Sequence, residues 1–187
     1  MVAGTLFLVV GPSGAGKDTL LSGARETLKD DARFVFARRM ITRPADAGGE
    51  DHTEISGEEF ETLRRQGAFF LSWSAHGLDY GLPATLTDDL AAGRNVVANV
   101  SRSVIADAAS RTPHLCAIVI TAPAAVLAGR LGDRGRETEA DIAARLARDG
   151  AAIPDDIPRI DISNDATPEE GIRRLVKVLT GFRATTC

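Results

Sequence analysis

The chain has 187 residues, 22 of them Lys or Arg against 26 Asp or Glu, for a formal charge of −4. That length suits one domain with a sizeable core and room for inserted flaps. The acidic balance excludes a general nucleic-acid or membrane-surface binder, so any basic site must be local. There is no basic segment leading into a signal-length apolar core, and no apolar run of spanning length, so the expected compartment is the cytoplasm. Cys116 and Cys187 make neither a disulfide framework nor a metal site, and His52, His76 and His114 are too scattered to form a metal cluster.

In chain order, residues 5–10 are a β-branched and aromatic run, the pattern of a buried parallel strand, and residues 18–28 can continue as an amphipathic helix. Residues 33–37 suggest a second strand. From residue 38 to about 81 the chain turns polar and irregular, with a helix over 56–65 announced by the Ser56/Glu59 capping pattern and a strand over 69–73. Pro83 suits the start of a helix ending near Gly93, and residues 95–100 return to the buried-strand pattern. Helix over 101–110, strand over 115–120 and helix over 123–131 follow. Residues 132–139 are a short charged stretch, then a helix over 139–149 and a strand over 157–162. Thr167-Pro168-Glu169-Glu170 is a capping box with Pro at the first helical position, opening a last helix to Leu179. Five apolar strands alternating with helices define an α/β fold, a five-stranded parallel sheet with helices on both faces. The expected division is a core of about 1–37, 94–131 and 150–187, an acceptor-binding flap of about 38–93 and a lid of about 132–149.

The chemistry starts between the first strand and helix, at Gly11-Pro12-Ser13-Gly14-Ala15-Gly16-Lys17-Asp18-Thr19. The spacing G-x-x-x-x-G-K lets backbone N–H groups converge on phosphate oxygens at a helix N-terminus while Lys17 reaches the β and γ phosphates. A Gly-rich turn can also be a mere tight connection, but the strand–loop–helix context favours a phosphate loop with a nucleoside triphosphate as ligand. The motif departs from its usual form at Asp18, where a Ser or Thr hydroxyl would face Mg²⁺. A carboxylate there can hold Mg²⁺, directly or through water, or simply complement the helix dipole.

Three further groups carry chemistry. Arg38, Arg39, Thr42 and Arg43 follow the second strand and suit an anionic acceptor, against the reading of a solvated loop. His76, Asp79 and Tyr80 lie in a Gly-bounded turn that is either a ligand-binding loop or only a hairpin. Arg130, Arg134, Arg136, Arg145 and Arg148 could turn toward one site on neighbouring helical faces, where a closing lid would neutralise a phosphoryl group in transfer.

These motifs in this order resemble the guanylate-kinase-like family over nearly the whole chain. Within it the resemblance is closer to ribose 1,5-bisphosphate phosphokinases, through Gly16-Lys17-Asp18, Ile41-Thr42-Arg43, Gly49-Glu50-Asp51-His52, Leu71-Ser72-Trp73, Gly77-Leu78-x-Tyr80-Gly81, Ser101-Arg102 and Arg134-Gly135-Arg136-Glu137. Where guanylate kinases read the guanine edge with Glu, this chain has Ser72, and their Asp-x-Asp strand end is Asn99-Val100-Ser101. Lost guanine partners argue against GMP. The resemblance implies an ATP-dependent phosphotransferase making 5-phosphoribosyl 1-diphosphate from ribose 1,5-bisphosphate, in phosphonate metabolism. It implies Lys17 and the loop at the donor phosphates, with Asn164 beside the adenine. Arg43 takes the acceptor phosphate, with Arg39, Thr42, His76, Tyr80 and Arg102 around the sugar, and Arg134, Arg136 and Arg145 close on the transferring group. A guanylate-type nucleoside monophosphate kinase, another small-molecule kinase and a non-catalytic interaction module are the competing readings. Monomer and homodimer both fit the sequence.

Overall fold

A computed structural model of the chain describes residues 3–45, 51–123, 126–127 and 152–183. Strands β1 (Leu6–Val10), β2 (Phe34–Phe36), β7 (Asn95–Asn99), β8 (Leu115–Thr121) and β9 (Arg159–Ser163) form a sheet in the order β2-β7-β1-β8-β9. Every pairing in it is parallel, with Leu6 opposite Val96 on one side and Leu115 on the other. Alternation of side chains along β1 divides the core. Leu6, Leu8 and Val10 face one cluster with Val96, Ala98, Leu115 and Ala117, covered by Leu86 and Leu90 of α3 (Leu86–Ala91) and Ile105 and Ala108 of α4 (Ile105–Arg111). Phe7 and Val9 face the other, covered by Leu20 and Ala24 of α1 (Lys17–Thr27) and by Leu175 and Leu179 of the C-terminal helix α5 (Pro168–Gly181). Helices therefore cover both faces, as the alternating pattern predicts.

A second, four-stranded sheet occupies the expected flap. It contains β3 (Met40–Ile41), β4 (Thr53–Glu54), β5 (Phe69–Ala75) and β6 (Leu78–Pro83) in the order β4-β3-β6-β5. β5 and β6 form an antiparallel hairpin whose turn holds His76 at φ 54° and Gly77 at φ 73°. Both central residues have the positive φ of a tight two-residue hairpin turn. Phe70, Leu71 and Leu82 belong to the same buried cluster as Leu6 and Leu8, so the hairpin is rooted in the main core. On its other side, Phe69 stacks on Phe60 of α2 (Gly57–Arg65) with ring centroids 4.8 Å apart.

The helix expected to open at Pro83 starts instead at Leu86. Pro83 ends β6 opposite Phe69, and Ala84 N–H continues the ladder to Ala68 O at 2.8 Å. A strand end tolerates the missing proline N–H as readily as a helix start does. The helix expected over 101–110 begins with a 3₁₀ turn at Arg102–Val104 before α4. Both capping patterns hold: Ser56 Oγ accepts from Glu59 N–H at 3.1 Å and Thr167 Oγ1 from Glu170 N–H at 3.3 Å. The expected lid, the helix over 139–149 and all but two described residues of 124–131 lie outside the described residues.

Candidate active site

The loop from Gly11 to Gly16 leaves the carboxyl end of β1 and enters α1. Gly14 and Gly16 sit at φ 83° and 86°, and a Cβ at Gly11 would run into the Ile120 carbonyl of β8. Side chains are excluded there, so the backbone itself lines the turn. Gly16 occupies the N-cap of α1 in a left-handed conformation with no side-chain cap hydrogen bond, a helix N-terminus of the kind that suits an anion. Lys17 Nζ donates to Gly11 O at 2.6 Å and Pro12 O at 3.0 Å, folding the ammonium over the loop. Ser13 is half-buried and Thr19 exposed.

Asp18, in the first turn of α1, has a partner that sequence reasoning missed. Asn99, the last residue of β7 and buried, donates from Nδ2 to Asp18 Oδ1 at 2.9 Å. The carboxylate sits on the loop and the amide at the strand end, joined across 81 positions of sequence. The loss of acids at residues 99–101 was the available signal; that the amide would meet Asp18 was not readable from spacing.

Asn164, placed beside the adenine by the resemblance, is 4% exposed and donates from Nδ2 to Ala15 O within the loop at 2.8 Å. Its side chain meets the backbone of the phosphate loop.

In the second sheet, Trp73 of β5 and Tyr80 of β6 stack nearly parallel, 5.3 Å apart at 6°. The guanidinium of Arg39 lies 5.2 Å from the Tyr80 ring centroid and 6.0 Å from that of Trp73, while the residue is 9% exposed. Burial pushes its pKa down to about 10; the Asp18 carboxylate and Tyr80 act against that, and Arg43 acts with it. Arg39 therefore remains a cation at neutral pH, in electrostatic reach of both Asp18 and Arg43.

Arg43 is tied to His52, which is also buried. Arg43 Nη2 is 3.4 Å from His52 Nδ1, and His52 Nε2 is 3.1 Å from Arg43 O. A carbonyl only accepts and a guanidinium only donates, so these two contacts suit the tautomer that carries its hydrogen on Nε2. Arg43 Nε is buried with no hydrogen-bond partner among the described residues, a donor suited to an anion. Arg38 donates to His52 O at 3.1 Å and pairs with Asp51 at 2.8 Å, and Asp51 pairs with Arg25 of α1 at 3.3 Å. His52, singled out by sequence only as part of a family motif, is thus a support of Arg43.

The remaining candidates are more dispersed. Thr42 Oγ1 accepts from Asp79 N–H at 2.9 Å and Thr42 N–H donates to Asp79 O at 3.1 Å, fastening β3 to β6. His76 is exposed in the turn of the β5–β6 hairpin, and Tyr80 is one of the hairpin's strand residues. Arg102 is half-buried at the start of the 3₁₀ turn after β7. Arg130, Arg134, Arg136, Arg145 and Arg148 lie outside the described residues.

The chain is similar in structure to guanylate kinase from Anaplasma phagocytophilum, at a TM-score of 0.72 and 20% identity, covering 100% of this chain and 90% of that one. Sheet order and this likeness define a guanylate-kinase-like α/β fold. In sequence it is 50% identical over 185 residues to ribose 1,5-bisphosphate phosphokinase PhnN of Acidiphilium cryptum, covering 99% of this chain and 97% of that protein. The chain belongs to the ribose 1,5-bisphosphate phosphokinase (PhnN) family, a family of kinases. It is also 54% identical over 184 residues to the bifunctional ribose 1,5-bisphosphokinase-thymidine phosphorylase of Azorhizobium caulinodans, and spans 27% of that longer protein. No protein-family model matches the chain. Among the described residues no helix is long and apolar enough to cross a membrane.

Proposed function

We propose that this chain transfers the γ-phosphoryl group of ATP to the 1-phosphate of ribose 1,5-bisphosphate, giving 5-phosphoribosyl 1-diphosphate and ADP. An oxygen of the acceptor phosphate attacks the γ-phosphorus and the bond from that phosphorus to the β–γ bridging oxygen breaks, leaving ADP. A phosphate oxygen is ionised near neutral pH, so the step needs no general base. Its difficulty is bringing anions together, and positioning with charge neutralisation should dominate. The observation that carries the reading is Arg39: a buried cation held on the Trp73–Tyr80 platform of the flap, yet in electrostatic reach of Asp18 on the phosphate loop. It joins the donor and acceptor sides.

In this reading Lys17 and the amides of the loop bind the donor phosphates. Arg43, with its orphaned Nε, takes an acceptor phosphate while His52 holds its other end. Tyr80 and Arg102 border the sugar, and Arg134, Arg136 and Arg145 close over the transferring group. Mg²⁺ is the implied metal, and the donor set suits it: a single carboxylate, Asp18, oriented by the Asn99 amide, is what this hard cation accepts alongside phosphate oxygens. Bound with ATP, it would neutralise charge on the β and γ phosphates. Asp18→Ala should therefore raise the Mg²⁺ concentration needed for half-maximal rate and slow turnover; a variant with the parent's Mg²⁺ titration and rate would remove Asp18 from metal binding.

The reading is tested by offering ribose 1,5-bisphosphate, ribose 5-phosphate and GMP separately with ATP and Mg²⁺ and resolving the products by phosphorus NMR. A new diphosphate signal from the bisphosphate alone is expected. Conversion of GMP to GDP with no product from the bisphosphate would overturn it.

A further inference from the structure

Asn164 is fixed from three sides. Its backbone N–H donates to Thr121 O at 2.7 Å, extending the pairing of β8 with β9 by one step. Its side-chain amide donates to Ala15 O at 2.8 Å, with Ala15 itself fully buried. Behind it stands Gly171 in the first turns of α5. A Cβ there would come within 2.7 Å of Asn164 Oδ1 and 2.6 Å of a Leu20 methyl on α1, closer than side chains pack.

The carbonyl that Asn164 holds belongs to the peptide joining Ala15 to Gly16. In a planar trans peptide the C=O and the following N–H point in opposite directions. Holding Ala15 C=O inward against Asn164 therefore turns Gly16 N–H away from it, toward the mouth of the loop. Glycine on one side of that bond leaves the peptide easy to rotate, since Gly16 populates either sign of φ. A rotated peptide would present a carbonyl to the donor phosphates where an N–H is needed.

We propose that Asn164 is a positioning residue of the phosphate loop, its amide locking the Ala15–Gly16 peptide in the anion-binding orientation, and that position 171 is glycine to leave that amide its place. This rests on the reading of the loop as the ATP site. It predicts a dependence on phosphate and none on the base, which separates it from a contact with adenine.

The experiment measures equilibrium binding of ATP and of inorganic tripolyphosphate, without acceptor, to the parent chain and to Asn164→Ala, Gly171→Ala and Gly23→Ala. Gly23→Ala is the packing control: its Cβ would press on Ile172 in the same α1–α5 contact but away from Asn164. Melting curves accompany each variant. Asn164→Ala and Gly171→Ala should weaken both ligands by about ten-fold, the scale of one lost hydrogen bond, while Gly23→Ala binds both as the parent does. If Asn164→Ala does not fold, Gly171→Ala carries the same comparison. Weakening of ATP with tripolyphosphate unchanged, or parent affinity for both, would overturn the proposal. Failure of the parent to bind either ligand would overturn the ATP reading of the loop, and the proposal with it.

Discussion

Asp18 and Asn99 face each other with the carboxylate on the loop and the amide on the strand, and the pairing makes a sharp prediction. Asn99→Asp would set two carboxylates at hydrogen-bond distance, forcing one to keep its proton in the fold with a raised pKa. A raised folded-state pKa means stability that is present at low pH and lost as pH rises through that value. The variant's melting temperature should therefore fall between about pH 5 and 8 and recover on adding Mg²⁺; a pH-independent melting temperature equal to the parent's would contradict the pairing. Arg39 yields a prediction of opposite sense. Its pKa is lowered to about 10 by burial, so the ionised form is less stable in the fold than in the unfolded chain, a burden uniform below that pH and relieved only above it. Arg39→Met, keeping the volume and removing the buried charge, should hold or raise the melting temperature while raising the KM for ribose 1,5-bisphosphate by about ten-fold or more. A lower melting temperature with an unchanged KM would make Arg39 structural.

At the β5–β6 hairpin, chemistry and turn geometry meet in one residue. His76 is a titratable residue in a Gly-bounded segment, and it also occupies a left-handed position that a non-glycine residue adopts at a penalty. Asn is better suited to that conformation. His76→Asn is thus expected to raise stability by about 0.5 kcal/mol and to leave the acceptor KM within about two-fold; a larger rise in KM would return His76 to the acceptor site. The long elements were legible because their signals are local: an apolar run ahead of the loop, and capping boxes at Ser56 and Thr167 that the hydrogen bonds match. Strands β3 and β4 have two residues each, too short for any periodicity. Pro83 was ambiguous because a missing N–H suits a strand end as well as a helix start. The Asp18–Asn99 and Asn164–Ala15 bonds were hidden for a different reason, spanning 81 and 149 positions that only the folded sheet brings together.

At the scale of the molecule, the parallel sheet puts the end of β7 beside the loop leaving β1, while the flap returns Arg39 and Arg43 to the same end. Phe70, Leu71 and Leu82 root the hairpin in the main core, and an exposed Arg25–Asp51–Arg38 ion-pair chain runs from α1 to the segment after β2. Of the family motifs, Asp18 of the loop and Asn99 at the end of β7 are brought together by the pairing of β1 with β7, which the residues alone did not show. The central claim is that this site is built for a sugar bisphosphate. It is tested most directly by competition: equal concentrations of ribose 1,5-bisphosphate and GMP with limiting ATP and Mg²⁺, so that the product ratio reads the ratio of kcat/KM values. The account predicts 5-phosphoribosyl 1-diphosphate over GDP by about a thousand-fold or more, because on this reading Ser72 stands where guanylate kinases read the guanine edge with Glu. Comparable amounts of the two products, or an excess of GDP, would contradict it.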